Sequence, residues 1–316
     1  MSTLDPLLER LRISPVAWAN LGPLSRTLAA STLPSRRPVL VIAHPRSGST
    51  WVGATLGRAA DAMYLKEPLT LSRLRSQSGT VTFELPNDNP PAAYLAPAAA
   101  VDIALPAFPP NVVPFPEQWR LSGRREKRLV IKEVNPLALD WFARRWRPKI
   151  IYLLRHPAGV AASFVAQGWR VRPEGFERRF RSERFASGEI VPERHSGSMW
   201  SELGAVQALV LKLTLERLQG ETDRLVVRYE DLCNDPIASF RRLYDFAELR
   251  WTGQVEEKIG RETSAATHDR SKAYRTVRNS QVMAGAWRCD LTPQEIADVR
   301  DAYLAYEPRY YRAEDW

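Results

Sequence analysis

The chain has 316 residues, of which 44% are hydrophobic and 26% are charged, and its formal net charge is +9. These values are typical of a globular protein, and a chain of this length can bury a sizeable core without disulfides or structural metals. No run approaches the roughly 18 uninterrupted apolar residues of a membrane-spanning helix, so we expect no transmembrane segment. Charged residues interrupt the first apolar positions, which argues against a secretory signal.

The excess of basic residues is compatible with an anionic small molecule, nucleic acid or an anionic membrane. The arginines are scattered in short pairs and no nucleic-acid-binding motif is visible, so we expect no nucleic-acid partner. The two cysteines, Cys233 and Cys289, and the four histidines lack metal-ligand spacing. The sequence therefore predicts a cytoplasmic protein with reduced thiols and no metal. It leaves the oligomeric state open.

Short apolar runs alternate with segments of helical periodicity. The runs that predict strands are 38–43, 62–66, 128–132, 149–154 and 224–229. The segments that predict helices lie at about 51–60, 158–167, 199–219 and 236–246, with a last helix after Thr292-Pro293. This alternation predicts a three-layer α/β fold, in which helices cover both faces of a central parallel sheet. No repeat or linker divides the chain, so we expect a single domain over 1–316.

Two segments lack this periodicity. Residues 68–126 are rich in proline and are interpreted as a long irregular insertion with a short helix near 92–104. Residues 170–195 are polar and rich in arginine and glutamate. Long loops within a compact domain are usually functional or mobile. We therefore expect both insertions to build or cover an acceptor site.

A polar turn, Pro45-Arg46-Ser47-Gly48-Ser49-Thr50-Trp51, joins the first predicted strand to a helical pattern. The first N–H groups of a helix have no partner within it, and the helix dipole favours an anion there. The glycine lets the backbone approach a phosphate closely, the hydroxyl groups add donors, and the arginine adds a charged fork. The turn therefore predicts an anion site. It is not a Walker A motif, and an ordinary capped helix is the alternative.

This loop resembles the 5′-phosphosulfate loop of sulfotransferases that use PAPS (3′-phosphoadenosine 5′-phosphosulfate). The resemblance continues through 38–67, 128–168 and 224–300. In the family, an arginine that closes a strand and a serine eight residues later bind the 3′-phosphate. Arg155 and Ser163 match that pattern, although the family commonly has aspartate where this chain has His156.

The resemblance implies further contacts with the cofactor. Tyr229, in the segment VRYEDL, would contact the adenine and Trp51 would stack on the same base, with core packing as the alternative for both. A looser match implies that Arg278 and Ser280 close over the cofactor. The implied fold is the P-loop-NTPase-like sulfotransferase fold. The implied cofactor is PAPS, with PAP as its product and without a metal.

Sulfuryl transfer needs alignment, cations for the developing charge and, for a hydroxyl acceptor, a general base. Arg46 and Lys132 are the candidate cations. The cytosolic aryl and steroid enzymes have a histidine two residues after that lysine, where this chain has Val134. Carbohydrate sulfotransferases resemble this chain in the pattern MYLKEPL, which makes Glu67 the candidate base. Glu133 is the alternative, although neighbouring strand positions face opposite sides.

The resemblance therefore implies transfer from PAPS to a hydroxyl of a small molecule or glycan, a carbohydrate or another alcohol. A nucleotide-dependent phosphoryl-transfer enzyme or nucleotide-binding α/β protein is the alternative function. The missing Walker lysine and the lack of a clear carboxylate for Mg²⁺ count against that alternative.

Overall fold

A computed structural model describes residues 14–70, 85, 90–169, 197–264 and 280–316, with backbone only at 280 and 281. Its strands are β1 Val39–Ala43, β2 Ala62–Lys66, β3 Arg128–Glu133, β4 Lys149–Leu154 and β5 Arg224–Arg228. Its α-helices are α1 Pro23–Ser31, α2 Ser49–Leu56, α3 Ala92–Asp102, α4 Leu139–Trp146, α5 Pro157–Val165, α6 Met199–Leu218, α7 Tyr229–Asn234, α8 Pro236–Ala247, α9 Gly253–Thr263, α10 Ser280–Gly285, α11 Trp287–Asp290 and α12 Pro293–Leu304.

The five strands form one parallel sheet in the order β2-β3-β1-β4-β5. Each predicted strand is confirmed to within one residue at either end. The sheet is parallel because a helix or a longer connection follows each strand and returns the chain to the same starting edge. Strand β1 lies between β3 and β4, and the chain leaves it for β2 on one side and later crosses from β3 to β4 on the other, so ligands are expected beyond the carboxyl ends of these central strands.

Side chains alternate across the sheet and fill two separate apolar cores. On one face, Val41, Val130 and Leu153 pack beneath α2 and α8. On the other face, Ile42 and Ile131 pack against α3, α4 and α6. Helices thus cover both faces, and the three-layer α/β architecture predicted from the sequence is confirmed.

Helix α2 lies unusually close to the sheet because two glycines face Tyr64. A Cβ at Gly53 would lie 2.7 Å from the Tyr64 hydroxyl oxygen and 3.0 Å from Lys132 Cβ. A Cβ at Gly57 would lie 2.6 Å from Tyr64 Cγ. The tyrosine is fully buried, and this burial raises the pKa of its hydroxyl well above the usual value. Any larger residue at either glycine would push α2 away from β2 and β3.

The described part of segment 68–126 contributes to the core instead of lying irregularly outside it. The expected short helix is present as α3, and Tyr94, Ala98 and Val101 from α3 are buried in the apolar cluster. Arg124 is also fully buried, donates to the carbonyl oxygens of Ala29 and Ala104, and has a pKa lowered to about 10 by burial. Segment 170–195 lies outside the described residues. None of the helices within the described ranges is long and apolar enough to cross a bilayer.

Candidate active site

The candidate residues meet at one edge of the sheet because parallel strands end together. They follow β1 (the loop 45–51), β2 (Glu67), β4 (Arg155) and β5 (Tyr229), or lie near the end of β3 (Lys132). The β-sheet register aligns Lys66 with Lys132 and Ala43 with Leu153, which puts the neighbouring loops at equal height. The sequence therefore brings most of its predicted site residues together, although they are up to 183 positions apart (46 to 229).

The anion loop turns sharply into α2 at Gly48. This glycine has φ +90°, a left-handed conformation, and it accepts the N–H of Trp51 at 3.0 Å. Ser47 and Ser49 are buried and Thr50 is half-buried. As at any helix start, the first N–H groups of α2 lack partners within the helix. The loop therefore places backbone amides and hydroxyl groups at the helix start, and the binding of an anion there stays a prediction.

Arg46 connects the loop to the helix that carries Ser163. Arg46 has φ +70°, a left-handed backbone. Its Nε donates to Ser163 Oγ at 2.9 Å, and its guanidinium lies 5.6 Å from the ring centre of Trp169. The two residues that the family resemblance assigned to opposite phosphates of the cofactor are thus hydrogen-bonded to each other. Sequence reasoning gave no signal for the contact with Trp169, because that residue follows α5 without any motif.

Arg155 lies on the other side of the same loop. Its Nη1 donates to the carbonyl oxygen of Arg46 at 3.0 Å, and its guanidinium lies 4.7 Å from the centre of the Tyr229 ring. A Cβ at Gly159 would approach Arg155 Nε to 3.1 Å, so helix α5 also passes close to this side chain. Arg155 and Ser163 both contact Arg46, which places them around one loop. This arrangement fits a ligand that carries negative charge at two points.

Tyr229 and Trp51, which the resemblance assigns to adenine, are tightly packed. Tyr229 is only 2% exposed, and a Cβ at Gly48 would lie 2.6 Å from its Cδ2 atom. Trp51 meets Tyr229 edge-on at 6.0 Å and Phe240 at 5.0 Å between ring centres. In this structure Tyr229 supports the loop by packing against it. Contact of either ring with adenine stays a prediction.

Glu67 and Lys132 form an ion pair at the end of β2 and β3. Glu67 Oε1 accepts from Lys132 Nζ, and the Glu67 N–H donates to the Lys132 carbonyl oxygen at 2.6 Å. The two side chains are 12% and 2% exposed, respectively. Lys132 is therefore a buried lysine whose charge is paired with a carboxylate. Glu67 has φ +51°, so the chain turns abruptly at this carboxylate.

Glu133 faces the opposite side of the sheet from its neighbour Lys132. Its carboxylate is fully buried and accepts from the Leu69 N–H at 2.8 Å and from Thr70 Oγ1 at 2.6 Å. Burial raises the pKa of this carboxyl to about 7, although the Thr70 hydrogen bond acts in the opposite direction. The two carboxylates weighed as candidate bases thus have different surroundings.

His156 stands where the family commonly has aspartate, and it is part of an aromatic cluster. Its ring stacks on Trp287 at 4.3 Å and meets Trp316 at 4.5 Å between ring centres. Burial lowers the pKa of this histidine to about 3, so the ring is neutral at physiological pH. Its backbone N–H donates to Glu230 Oε1. The other carboxylate oxygen, Glu230 Oε2, accepts from the Tyr311 hydroxyl. Sequence reasoning missed Glu230, although it lies within the tyrosine-containing segment VRYEDL.

His44 supports the anion loop from behind. Its Nδ1 lies 3.0 Å from the Pro45 carbonyl oxygen, and its ring stacks on Phe164 at 5.6 Å. Within the described ranges, no group of three or more histidine, cysteine, aspartate or glutamate side chains could hold a metal ion. Arg278 lies outside the described residues, and Ser280 begins α10 with a side chain that is not described. Their predicted contacts with the cofactor stay predictions.

Comparison with known proteins agrees with this geometry. Residues 36–306 match the family described as "Sulfotransferase domain". Human carbohydrate sulfotransferase 2 is 30% identical over 211 residues, which cover 58% of this chain and 39% of that protein. Human carbohydrate sulfotransferase 3 is 40% identical over 191 residues, which cover 57% of this chain and 37% of that protein.

The alignments therefore span well under half the length of these curated relatives. Among solved structures, the sulfotransferase domain from the curacin biosynthetic pathway is 18% identical and covers 87% of this chain and 100% of its own, with a TM-score of 0.46. The family match extends over most of the chain, from three residues before β1 to two residues after the end of α12. On that match, the chain belongs to the sulfotransferase domain family.

Proposed function

We propose that this protein transfers a sulfuryl group from PAPS to a hydroxyl group of a carbohydrate or a related alcohol, with Glu67 as the general base. The observation that carries the proposal is the Glu67–Lys132 ion pair beside the anion loop. Membership of the sulfotransferase family and similarity to carbohydrate sulfotransferases support the reaction and the class of acceptor.

The residues around the loop fit the charge of the proposed cofactor. The amides and hydroxyl groups at the start of α2 would hold the 5′-phosphosulfate, and Arg155 with Ser163 would hold the 3′-phosphate. Gly48 fits this role because its φ of +90° lets the backbone turn sharply into α2, whose first N–H groups would bind the anion. Guanidinium and hydroxyl donors together suit a phosphate dianion. When bound, PAPS supplies the activated sulfuryl group.

The ion pair would supply the acid–base part of the reaction. Glu67 accepts the proton of the acceptor hydroxyl as that oxygen becomes a nucleophile. Lys132 holds the Glu67 carboxylate in place and brings a positive charge to the site, with its side-chain stem against Gly53 of the loop helix. Arg46 provides a second cation from the loop itself. A site with fixed charges and little water strengthens such electrostatic effects.

Glu67 is favoured over Glu133 by geometry. The Glu67 side chain is partly exposed and paired with Lys132, on the side of the sheet covered by α2. Glu133 is fully buried, and its carboxylate accepts bonds from Leu69 and Thr70. A base must reach the proton that it removes, and only the first of these two carboxylates is open to solvent.

The test is transfer of labelled sulfate from PAPS to a panel of carbohydrate alcohols by wild-type protein and Glu67→Gln. We expect the variant to bind PAP with unchanged affinity in calorimetry and to lose transfer by about 10²- to 10⁴-fold. Glu248→Gln is a matched control, because Glu248 also has a positive φ (+49°) and pairs with Lys149 at the opposite end of the sheet.

Two results would contradict the proposal in different ways. Full activity of Glu67→Gln would remove Glu67 as the base. Stabilisation of the wild-type protein by ATP with Mg²⁺ but not by PAP would instead favour the phosphoryl-transfer alternative. The cytoplasmic location, the absence of a nucleic-acid partner and the single-domain organisation stay predictions. Cell fractionation, salt-dependent binding assays and limited proteolysis would test them.

A further inference from the structure

Two neighbouring residues of β3 reach the same short turn from opposite faces of the sheet. The turn is Glu67-Pro68-Leu69-Thr70, which follows β2. Lys132 binds the Glu67 carboxylate, and its carbonyl oxygen accepts the Glu67 N–H. Glu133 accepts from the Leu69 N–H at 2.8 Å and from the Thr70 hydroxyl at 2.6 Å. The turn is therefore held at its first, third and fourth residues by two consecutive residues of the adjacent strand.

The turn needs such restraint because its backbone is unfavourable at Glu67. A residue other than glycine with positive φ is uncommon, and its conformation persists only where the surroundings determine it. A residue that precedes proline also normally adopts an extended conformation. Glu67 combines a φ of +51° with a following Pro68. Without external hydrogen bonds, we expect the turn to relax and to move the carboxylate.

Burial of the Glu133 side chain at this position has a high free-energy cost. It follows Leu129 and Ile131 on the face of β3 that packs into the apolar core, and its side chain is fully buried. A carboxyl group in such surroundings is costly unless it is well hydrogen-bonded. The Glu133 carboxylate accepts hydrogen bonds from Leu69 and Thr70 of the turn that carries Glu67, so the contacts that compensate its burial are the same contacts that fix the turn.

We propose that Glu133 is a positioning residue that holds the 67–70 turn so that the Glu67 carboxylate meets Lys132 and the acceptor. This inference rests on the proposed role of Glu67 as the base. It assigns to Glu133 a function distinct from the alternative base that its position in the sequence suggested. Glu133 acts through the turn and not on the acceptor.

The experiment compares four variants: Glu133→Leu, Glu133→Gln, Glu67→Gln and the double variant Glu67→Gln with Glu133→Leu. We expect Glu133→Leu to lower kcat about 10- to 100-fold, because small displacements of a catalytic group have effects of that size. PAP affinity and the KM for PAPS should stay within about twofold, since the anion loop is untouched. Glu133→Gln should recover most of kcat, because its amide oxygen can still accept from Leu69 and its NH₂ group can donate to Thr70.

The double variant separates positioning from a general structural role. If Glu133 acts through Glu67, adding Glu133→Leu to Glu67→Gln should cause no further loss of the residual transfer measured with labelled PAPS. If the two losses multiply, or if Glu133→Leu keeps the wild-type kcat, the inference is wrong. Full activity of Glu67→Gln alone would contradict the proposed base and leave the effect of Glu133→Leu to be judged by its own kcat.

A gentler variant decides the question if Glu133→Leu does not fold. Thr70→Val removes one hydrogen bond to Glu133 and keeps the shape of the side chain. We expect a kcat about 2- to 10-fold lower with unchanged PAP affinity, from the loss of one bond to a charged group. A Thr70→Val protein with wild-type kcat would overturn the inference. Thr55→Val serves as its control, because Thr55 is also buried but lies on α2.

Discussion

Two parts of the candidate site differ in the groups that form them: a donor side at the ends of β1, β4 and β5, and a base side at the ends of β2 and β3. Around β1, β4 and β5, backbone amides, hydroxyl groups and half-buried arginines surround the anion loop, and Arg46 contacts Ser163 while Arg155 contacts Arg46. At β2 and β3, a buried ion pair and a buried carboxyl group hold one short turn.

This difference predicts how each side responds to substitution. The donor side spreads its hydrogen bonds over many groups, so the loss of one group should weaken binding without abolishing it. The base side depends on two or three groups that have no substitutes, so a single loss there should lower kcat while affinity for PAP is kept. Affinity for PAP and kcat should therefore separate cleanly between variants of the two sides.

After Glu67→Gln, the largest effect is expected for Lys132→Met. The change removes the cation from the Glu67 carboxylate, so we expect kcat to fall about 10²- to 10³-fold, measured with saturating PAPS. Removal of one partner from a buried ion pair should also lower the free energy of unfolding by about 3 kcal/mol in urea titrations. Lys149→Met is the control, since Lys149 forms an ion pair at the other end of the sheet. Equal kcat losses in both variants would show that the effect of Lys132→Met is not specific to the site.

A smaller effect, on PAP affinity and not on kcat, is expected for Arg155→Met on the donor side. Loss of charge-assisted bonds to the 3′-phosphate should weaken PAP binding roughly 10- to 100-fold. Binding of adenosine 5′-monophosphate, which lacks that phosphate, should change little, and kcat at saturating PAPS should stay near the wild-type value. Calorimetry with both nucleotides measures the difference. If the affinity for both nucleotides falls equally, Arg155 does not bind the 3′-phosphate.

A pair of glycines tests how the donor loop is held. Gly48 and Gly123 both have positive φ, +90° and +67°, but only at Gly48 would a Cβ collide with the Tyr229 ring. Gly123→Ala should lower the free energy of unfolding by about 1 kcal/mol from backbone conformation alone. Gly48→Ala should cost more and should also weaken PAP binding. Identical unfolding curves for the two variants would mean that the ring adapts to the added methyl group.

The last prediction concerns the pH dependence of stability and not kcat. Burial raises the pKa of Glu133 from its ordinary value of 4.5 to about 7, so the folded state binds a proton that the unfolded state has released. This contribution to stability is fully present below pH 4.5 and is lost as the pH rises through about 7. Relative to Glu133→Gln, the wild-type free energy of unfolding should fall between pH 5 and pH 8, with a slope of at most about 1.4 kcal/mol per pH unit. Parallel curves for the two proteins would show that Glu133 does not titrate in this range.

The same difference explains what the sequence could predict. The donor side is encoded locally, since the loop follows its strand directly and Arg155 and Ser163 are separated by one helical segment. Such short spacings determine geometry almost by themselves. The strand order and the burial of Lys132 depend instead on pairing between β2 and β3, which lie more than sixty residues apart in the chain. Residue spacing holds no information about that pairing.

Contacts between distant segments were the hardest to foresee. Glu230 joins the start of α5 to Tyr311, which lies 81 residues further along the chain. Trp169 meets Arg46 only because α5 returns along the sheet beside the loop. The sequence indicated Tyr229 as a cofactor contact, and the structure adds that its ring is packed against Gly48. In each case the sequence shows the residue type, but the residue that it contacts is determined by the whole fold.

The close packing of Tyr64 against Gly53 and Gly57 fixes the distance between α2 and β2. It places the helix that begins at the anion loop directly against β2, the strand that Glu67 follows. In the proposed reaction, this packing would set the gap between the anion loop and the Glu67 turn, across which the sulfuryl group moves.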